Sequence, residues 1–410
     1  MERQRSGKGI WTLKYAVLNI AYFAAFCTVH AYAAVFLLDR GFTNTQIGIL
    51  LALANVISAV IQPVIAGIID RQTGLTNKRF ILISVITIMA GSLLLMINTL
   101  NPAAVFIIYV IIYMIQFAYQ PVMTALCFEY RKAGCDIFYG LARGLGSAGF
   151  AVTAAFIGSA VEKNGVFILL IVNVAAMAVS AAVILLFKKP EKASEKKTGA
   201  EDALSSDHGT GKTGGDIRTF VRTYPAFSVF LIATICFFFG HNMINDFMIQ
   251  IIRELGGGEK ILGYANFLQA ILELPVMAGI GLILKKVSSK NLLLFSGAAF
   301  FVKILILLFA VNMAGLFISQ SFQLFAYAVF IPAAAYYVSE TMEEYDQVKG
   351  QAFITSAITT GGVFSNLISG TILDNFGVHT MLICGSIVCF IGVITSFAAM
   401  TKLPHHIHRV

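Results

Sequence analysis

Four charged residues stand inside long apolar stretches of this 410-residue chain: Arg143, Asp246, Glu273 and Lys303. A charge at membrane depth costs about 2.5–3.5 kcal/mol on the most permissive insertion scale, so such residues tend to face an internal cavity and to serve function. Two acids and two bases can form fixed ion pairs between helices. Alternatively, an acid whose surroundings change can take up and release a proton. Both interpretations stay open, and the second makes Glu273, Asp246 and Lys303 candidates for ion coupling, with Glu273 preferred over Asp246.

Uncharged polar residues recur around these charges at steps of three and four, which is the spacing of one helix face. The faces are Asn266, Gln269 and Glu273; Asn242, Asn245 and Asp246; Gln320, Gln323 and Tyr327; Tyr109, Tyr113, Gln116 and Gln120; and Asn19, Tyr22 and His30. Lipid rejects such faces, so they must point inward. Amides and phenols hydrogen-bond hydroxyls in both directions, and aromatic rings stack on sugars or nucleobases. The pattern favours a neutral polyhydroxy ligand, although each single tyrosine is equally compatible with packing.

Twelve apolar spans must position these residues, and each has the ~20 residues that cross a hydrocarbon core. Spans 1 to 12 are predicted at 14–38, 45–69, 79–98, 103–128, 139–161, 166–188, 225–252, 262–284, 291–311, 315–339, 349–373 and 378–401. The composition agrees, because 58% of residues are hydrophobic, only 12% are charged and the mean hydropathy is +0.82. A soluble protein carries about 25% charged residues. The predicted fold class is an all-α membrane protein.

The second half of the chain repeats the first at an offset of 211–212 residues. The matched residues are Pro63 and Pro275, Pro121 and Pro332, Glu129 and Glu340, His30 and His241, and Gly149, Gly158 and Gly165 with Gly361, Gly370 and Gly377. This register indicates a duplicated six-helix unit. The predicted domains are bundles at 1–188 and 223–410, joined by a polar, flexible linker at 189–222. Spans 1, 4, 7 and 10 are expected to line a central cavity, which is typical of transporters that alternate between two faces.

The distribution of basic residues sets the predicted orientation. Of the 29 Lys and Arg residues, 23 lie in segments on the side of the amino terminus and four, Arg40, Lys163, Arg253 and Lys260, lie in loops on the other side. Both termini are therefore predicted to be cytoplasmic, in a multi-pass protein of the plasma or inner membrane. The net charge of +8 follows from this bias and predicts no nucleic-acid partner.

Other chemistry finds little support in the sequence. No nucleophile–base pair and no metal-ligand spacing is present, so an enzyme, a cofactor and a metal site are not predicted. His30 and His241 can titrate near neutral pH and carry protons. A neutral histidine hydrogen-bonded between helices is the favoured interpretation for both.

The segment between spans 2 and 3 carries Gly67, Asp70, Arg71, Gly74, Lys78 and Arg79. This resembles the signature of the major facilitator superfamily in the same loop. The resemblance implies two pseudo-symmetric six-helix halves and a conformational latch formed by these residues, in which an acid beside a base pairs with a neighbouring span in one state and releases it in the other.

Span 5 carries Gly140, Arg143, Gly146, Gly149 and Phe150. This pattern resembles the lactose permease branch, the oligosaccharide–proton symporters, in which the arginine binds sugar hydroxyls and a tryptophan at the Phe150 position stacks on the sugar. Gly263-Tyr264 and Val302-Lys303-Ile304 also match. The interior departs from the branch, because Ala125, Gln320, Gln323, Ala326 and Ala270 replace its charged residues and histidine. Lactose specificity and the proton site therefore do not carry over.

These features together predict a secondary active transporter. It would take up a sugar, an oligosaccharide or a similar polar small molecule by alternating access, coupled to a cation, with H⁺ as co-substrate, and act as a monomer in a lipid bilayer. Nucleoside uptake and export of drugs or aromatic compounds are the alternatives. The predicted substrate-binding residues are Arg143, Phe150, Asn19, Tyr22, Tyr113, Gln116, Gln120, Asn242, Asn266, Gln269, Gln320, Gln323 and Tyr327.

Overall fold

The computed structural model describes residues 8–71, 74–188 and 217–402, and every regular element in those ranges is helical. In the first half, span 1 comprises helix Lys8–Phe26, a π-helical turn Cys27–Ala31 and helix Ala33–Asp39. Spans 2 to 6 are helices Asn44–Asp70, Asn77–Leu95, Pro102–Lys132, Tyr139–Asn164 and Phe167–Leu185. Several begin at side-chain caps that satisfy free backbone N–H groups. These caps are Thr43, Thr76 and Asn101.

The second half repeats this layout. Span 7 comprises Pro225–Asp246 and Met248–Glu254, span 8 is Glu259–Leu284 and span 9 is Ser289–Leu308. Span 10 comprises Met313–Ser321, the 3₁₀ turn Phe322–Leu324 and Tyr327–Thr341. Spans 11 and 12 lie within Glu344–Lys402, whose helical course is interrupted at Gly377 with φ 79°. The matched prolines Pro63, Pro121, Pro275 and Pro332 all lie inside helices.

The count of long helices alone does not give the twelve predicted spans. Ten helices in the described ranges are long and apolar enough to cross a membrane, against twelve predicted. One of the ten, Glu344–Thr401, has 58 residues and would be about 87 Å long as a straight helix, far more than the ~30 Å core requires. Its left-handed Gly377 lies between the predicted spans 11 and 12. Helix Glu259–Leu284, of 26 residues, is a further long helix outside the ten.

One end of the predicted linker is ordered. Most of 189–222 lies outside the described residues, but Ile217–Thr223 is a helix where the sequence predicts a flexible segment. Phe220 explains the difference, because it is buried and its ring lies 5.0 Å from those of Tyr224 and Phe353. An apolar anchor of this kind offsets the entropy of ordering the segment.

The two halves meet at the outer face, which is defined here as the face opposite Lys8. Glycines allow backbone contact between span 2 and span 11 and between span 5 and span 8. A Cβ added to Gly48 would lie 2.1 Å from Asn366 O, and a Cβ added to Gly158 would lie 2.1 Å from Glu259 O. Gly370, the repeat partner of Gly158, and Gly263 make similar approaches, at 2.3 Å to Asn44 O and to Ala154 O respectively. The bundle is therefore closed at the outer face.

Candidate functional site

A cavity of about 440 Å³ lies between spans 2 and 4 on the inner side of the bundle. Its lining residues are Gln62, Phe117, Gln120, Pro121 and Thr124. Four of them lie in the halves of their helices nearer the inner face, and Phe117 lies at the midpoint of span 4. The cavity therefore lies away from the contacts of the outer ends, toward the face that carries Lys8. Gln120 is thus one predicted binding residue that lines it.

Arg143 of span 5 is half-buried. Its guanidinium carbon sits 4.3 Å from the centre of the Phe23 ring of span 1, and Nη1 donates to Ser147 Oγ at 3.1 Å. Stacking leaves the other guanidinium N–H groups free to form a planar donor fork. Tyr327 belongs to the opposite half. Its phenol is close enough to Glu273 and to Arg143 to interact with the charge of each. Phe150 is half-buried and packs against the apolar core.

Two predicted binding residues of span 1 already have protein partners in this conformation, Asn19 within its own helix and Tyr22 on span 4. Asn19 is fully buried and donates from Nδ2 to Tyr15 O at 2.8 Å. Tyr22 is also fully buried; its hydroxyl donates to Gln116 O at 2.9 Å and its ring meets that of Tyr119. Gln116 differs, because both polar atoms of its buried side chain lack a well-aligned hydrogen bond in the described chain and lie within reach of His30.

His30 stands at the centre of an aromatic cluster. Its ring is stacked on Phe26 at 3.8 Å and lies 3.9 Å from Tyr113 and 4.6 Å from Phe117. The Gln116 side chain lies within hydrogen-bonding reach of His30, although neither ring nitrogen is in a well-aligned bond among the described residues. The favoured interpretation of a hydrogen-bonded histidine therefore stays a prediction. His30 lies within the π-helical turn of span 1, and such turns occur frequently at functional sites. The cluster offers ring faces together with polar atoms.

The charges of the second half are joined by an amide. Lys303 Nζ donates to Gln323 Oε1 at 2.7 Å, and Gln323 Nε2 donates to Glu273 Oε1 at 2.8 Å. Lys303 is 1% exposed and Glu273 is half-buried. Gln323 belongs to the 3₁₀ turn that interrupts span 10. Spans 8, 9 and 10 thus meet in one chain of ammonium, amide and carboxylate.

A second polar group lies beside this chain. Gln269 donates to Asn245 Oδ1 at 3.2 Å and also to Gln320. Asn245 contacts His241 Nε2 at 2.9 Å, and the His241 ring is stacked on Tyr327 at 5.0 Å. His241 therefore has a hydrogen-bonding neighbour one turn along its own helix.

The remaining candidates of the second half have separate surroundings. Asn242 donates to Phe238 O at 2.8 Å, within its own helix. Asn266 Nδ2 is buried without a hydrogen-bond partner in the described chain. Asp246 ends helix Pro225–Asp246 and lies within electrostatic range of Tyr113 in the opposite half.

The predicted latch makes contacts only within the first half where it is described. Lys78 Nζ donates to Phe187 O at 2.6 Å, and Arg79 Nη1 donates to Gly74 O at 2.6 Å. Gly74 has φ 84°, a backbone conformation that favours glycine. Gly67 is helical and Arg71 is exposed. The side chain of Asp70 lies outside the described residues, so the latch role stays a prediction.

Several neighbours of the site were not singled out in the sequence. Phe23 and Phe26 share the helix face of His30 at steps of three and four, and that spacing is visible in the sequence. Phe117 follows Tyr113 by four residues. Ser147, one turn after Arg143, could have been found in the same way.

The helical bundle, its repeat and the cavity between spans define a transporter of the major facilitator type. A family model described as the MFS_1 like family matches residues 11–384, and the chain belongs to this family. It is a multi-pass membrane protein.

Known proteins resemble it in sequence and in fold. The sucrose permease of Escherichia coli is 25% identical over 276 residues, which are 62% of this chain and 60% of that protein. The crystal structure of the nucleoside transporter NupG matches with a TM-score of 0.77 and 14% identity, over 96% of this chain and 100% of that one. An auto-inhibited POT family peptide transporter matches with a TM-score of 0.72 and 10% identity, over 98% and 99%. At these identities the two structures show the fold alone.

Proposed function

We propose that this protein is a proton-coupled symporter that takes up a sugar or an oligosaccharide across the cell membrane by alternating access. One observation carries the proposal. Arg143 is stacked on Phe23 in the first half, and its charge interacts with the phenol of Tyr327 in the second half, which also interacts with the charge of Glu273. A planar donor fork from one half and a phenol and amides from the other can hold hydroxyls from both sides. Binding that needs both halves links the substrate to their relative motion.

The coupling step is proposed at Glu273. In this conformation its carboxylate accepts from Gln323, which in turn accepts from Lys303. Movement of the halves that changes this contact or the access of water changes the preference of the carboxylate for its proton. Protonation at the outer side and release at the inner side would drive uptake. Lys303 is the balancing charge of Glu273, and Asp246 is the second candidate for the coupling acid.

The substrate class rests on two lines of support. The relative with the matching sequence is named as a sucrose permease, and the span 5 pattern around Arg143 resembles the oligosaccharide–proton branch. The polar side chains near Glu273 are amides and a phenol, which suit hydroxyl groups. Gln269, Gln320 and Gln323 are the amides concerned.

Nucleoside uptake is a second candidate, favoured by the cluster around His30. The cluster contains the rings of His30, Phe26, Tyr113 and Phe117. Each ring centre lies no more than 5.6 Å from that of a neighbouring ring. A planar nucleobase stacks on aromatic ring faces of this kind. The ring nitrogens of His30 and the amide of Gln116, which lie within reach of each other, could then hydrogen-bond polar atoms of the base. Export of drugs or aromatic compounds remains the third alternative.

Uptake into proteoliposomes tests the proposed function. We expect acid-outside vesicles to accumulate a radiolabelled di- or trisaccharide but no uridine or adenosine. We expect Arg143→Lys to weaken apparent affinity about 10- to 100-fold, because hydrogen bonds to charged groups contribute ~1.5–3 kcal/mol and lysine cannot present a planar fork. Concentration dependence of initial uptake measures the change.

Arg131→Lys is the matched control, since Arg131 lies 5.6 Å from the Phe128 ring but at the exposed inner end of span 4. It should leave apparent affinity unchanged. Accumulation of nucleosides and not of sugars would refute sugar uptake and support nucleoside uptake, the second candidate. Extrusion of dyes with no sugar uptake would support the exporter and overturn both.

A further inference from the structure

The outer end of span 2 is capped by a carboxylate from the opposite half. Asp374, near the end of span 11, accepts through Oδ1 from Asn44 N at 3.0 Å and Asn44 Nδ2 at 2.9 Å. Its Oδ2 accepts from Thr45 N at 2.7 Å and Thr45 Oγ1 at 2.6 Å. One side chain of the second half therefore receives four hydrogen bonds from the first helical turn of span 2.

The helix needs this contribution. The first turn of an α-helix has N–H groups without an intrahelical partner. The cap residue Thr43 accepts from Gln46 N at 3.2 Å, which satisfies one of them. Asn44 N and Thr45 N, the first two donors of the helix, are both bonded to Asp374. A negative charge at this end also interacts favourably with the helix dipole.

An equivalent cap is formed with the roles of the two halves exchanged, because here a carboxylate of the first half caps a helix of the second. Glu162, near the end of span 5, lies 212 residues before Asp374. Its Oε1 accepts at 2.9 Å from Lys260 N, in the first turn of span 8. The cap position of that helix is Gly258, which has no side chain to act as a cap, and an added Cβ there would lie 2.7 Å from Glu162 Oε1. Span 8 thus depends on the other half for a side-chain cap.

We propose that Asp374 and Glu162 form a paired outer gate, in which each half holds the closed outer face by capping a helix of the other. Opening the face separates span 2 from span 11 and span 5 from span 8, so both caps must break. Water can then solvate the carboxylates and the freed N–H groups, because these side chains lie at the exposed rim. Such a gate is reversible, unlike a buried ion pair whose separation leaves charges desolvated.

The two caps are unequal. Asp374 accepts four hydrogen bonds, and Asn44 also accepts from Gln250 Nε2 of span 7 at 2.8 Å. Glu162 accepts one from a backbone N–H. The contact of span 2 with span 11 is therefore the stronger, and it sets the balance between closed and open outer faces. The inference rests on the alternating access of the proposed function, but on neither its substrate nor its coupling ion.

Distances between the halves test the gate without any substrate. Spin labels at Asn98 and Val311, which lie in exposed outer loops of the two halves, report opening by pulsed electron resonance in a background lacking the six native cysteines. We expect Asp374→Asn to raise the ratio of open to closed outer faces about five- to tenfold, the range that a helix cap and its charge contribute. Glu162→Gln should raise it about twofold, for its single bond. Asp374→Glu, which keeps the carboxylate, should stay near the native ratio.

Asp39→Asn and Glu254→Gln are the matched controls, because both acids are exposed at the outer ends of spans 1 and 7. They should leave the distance distribution unchanged. The gate is refuted if Asp374→Asn matches Asp39→Asn, or if Asp374→Glu opens the face as far as Asp374→Asn. Should Asp374→Asn fail to fold, Glu162→Gln against Glu254→Gln decides the matter. A failed uptake assay with the expected distances would refute the proposed function and leave the gate intact.

Discussion

Glu273→Gln is expected to abolish uphill accumulation of substrate while preserving its exchange across the membrane. A symporter must bind and release a proton in each net cycle. The amide keeps the size of the side chain and can still accept from Gln323, whose Nε2 lies 2.8 Å from Glu273 Oε1 in the native protein. It cannot release a proton, so the empty transporter loses the step that completes net transport. Exchange involves only the loaded form and therefore continues.

Two assays on the same proteoliposomes separate these steps. Uptake driven by an acid-outside gradient measures accumulation, and counterflow of labelled against unlabelled substrate measures exchange. Asp246→Asn is the comparison, since Asp246 is the other acid deep in a span. Accumulation by Glu273→Gln at the native level would exclude Glu273 as the coupling residue. Loss of accumulation in Asp246→Asn alone would assign coupling to Asp246.

Lys303→Met is expected to destabilise the second half strongly, and Glu273→Gln is expected to restore most of the loss. Lys303 is 1% exposed and reaches Glu273 only through Gln323, with contacts of 2.7 and 2.8 Å. Removing the ammonium leaves a desolvated carboxylate without its balancing charge. Breaking a buried pair in this way costs about 3 kcal/mol, whereas removing both charges can be nearly neutral.

A double-mutant cycle measures the coupling between the two groups. Denaturation of Lys303→Met, Glu273→Gln and the double variant in detergent should show that the double variant is more stable than Lys303→Met alone. Lys285→Met, at an exposed lysine at the inner end of span 8, should be close to the native protein. Additive losses in the double variant would mean that Lys303 does not compensate Glu273.

Much of the fold follows from the sequence. Apolar length predicts helices, and lipid forces polar faces inward, so the positions of Arg143, Glu273 and Lys303 inside a bundle could be predicted residue by residue. The repeat predicted that Pro63 and Pro275 would occupy equivalent helices, and both lie within theirs. The ordered segment Ile217–Thr223 escaped prediction because its anchor, Phe220, contacts Phe353, which is distant in the chain.

The candidate site was only partly visible in the sequence. Helical spacing grouped Gln320 with Gln323 and Asn266 with Gln269, because residues three and four apart share a face. It gave no means of distinguishing Tyr22, which holds span 1 to Gln116 O, from Gln116, whose own side chain faces His30. Both are polar residues on inward faces, and only the neighbouring helix decides which one is occupied.

The sequence by itself determined the class of protein, the halves and the set of buried charges, since these depend on apolar length, repeat register and the cost of charge in lipid. The tertiary structure decided which partner each group meets. Gln323 joins Glu273 to Lys303 across three spans, and Asp374 caps Asn44 at a distance of 330 residues. Such pairings depend on the rotation and crossing of packed helices, which no spacing within one helix encodes.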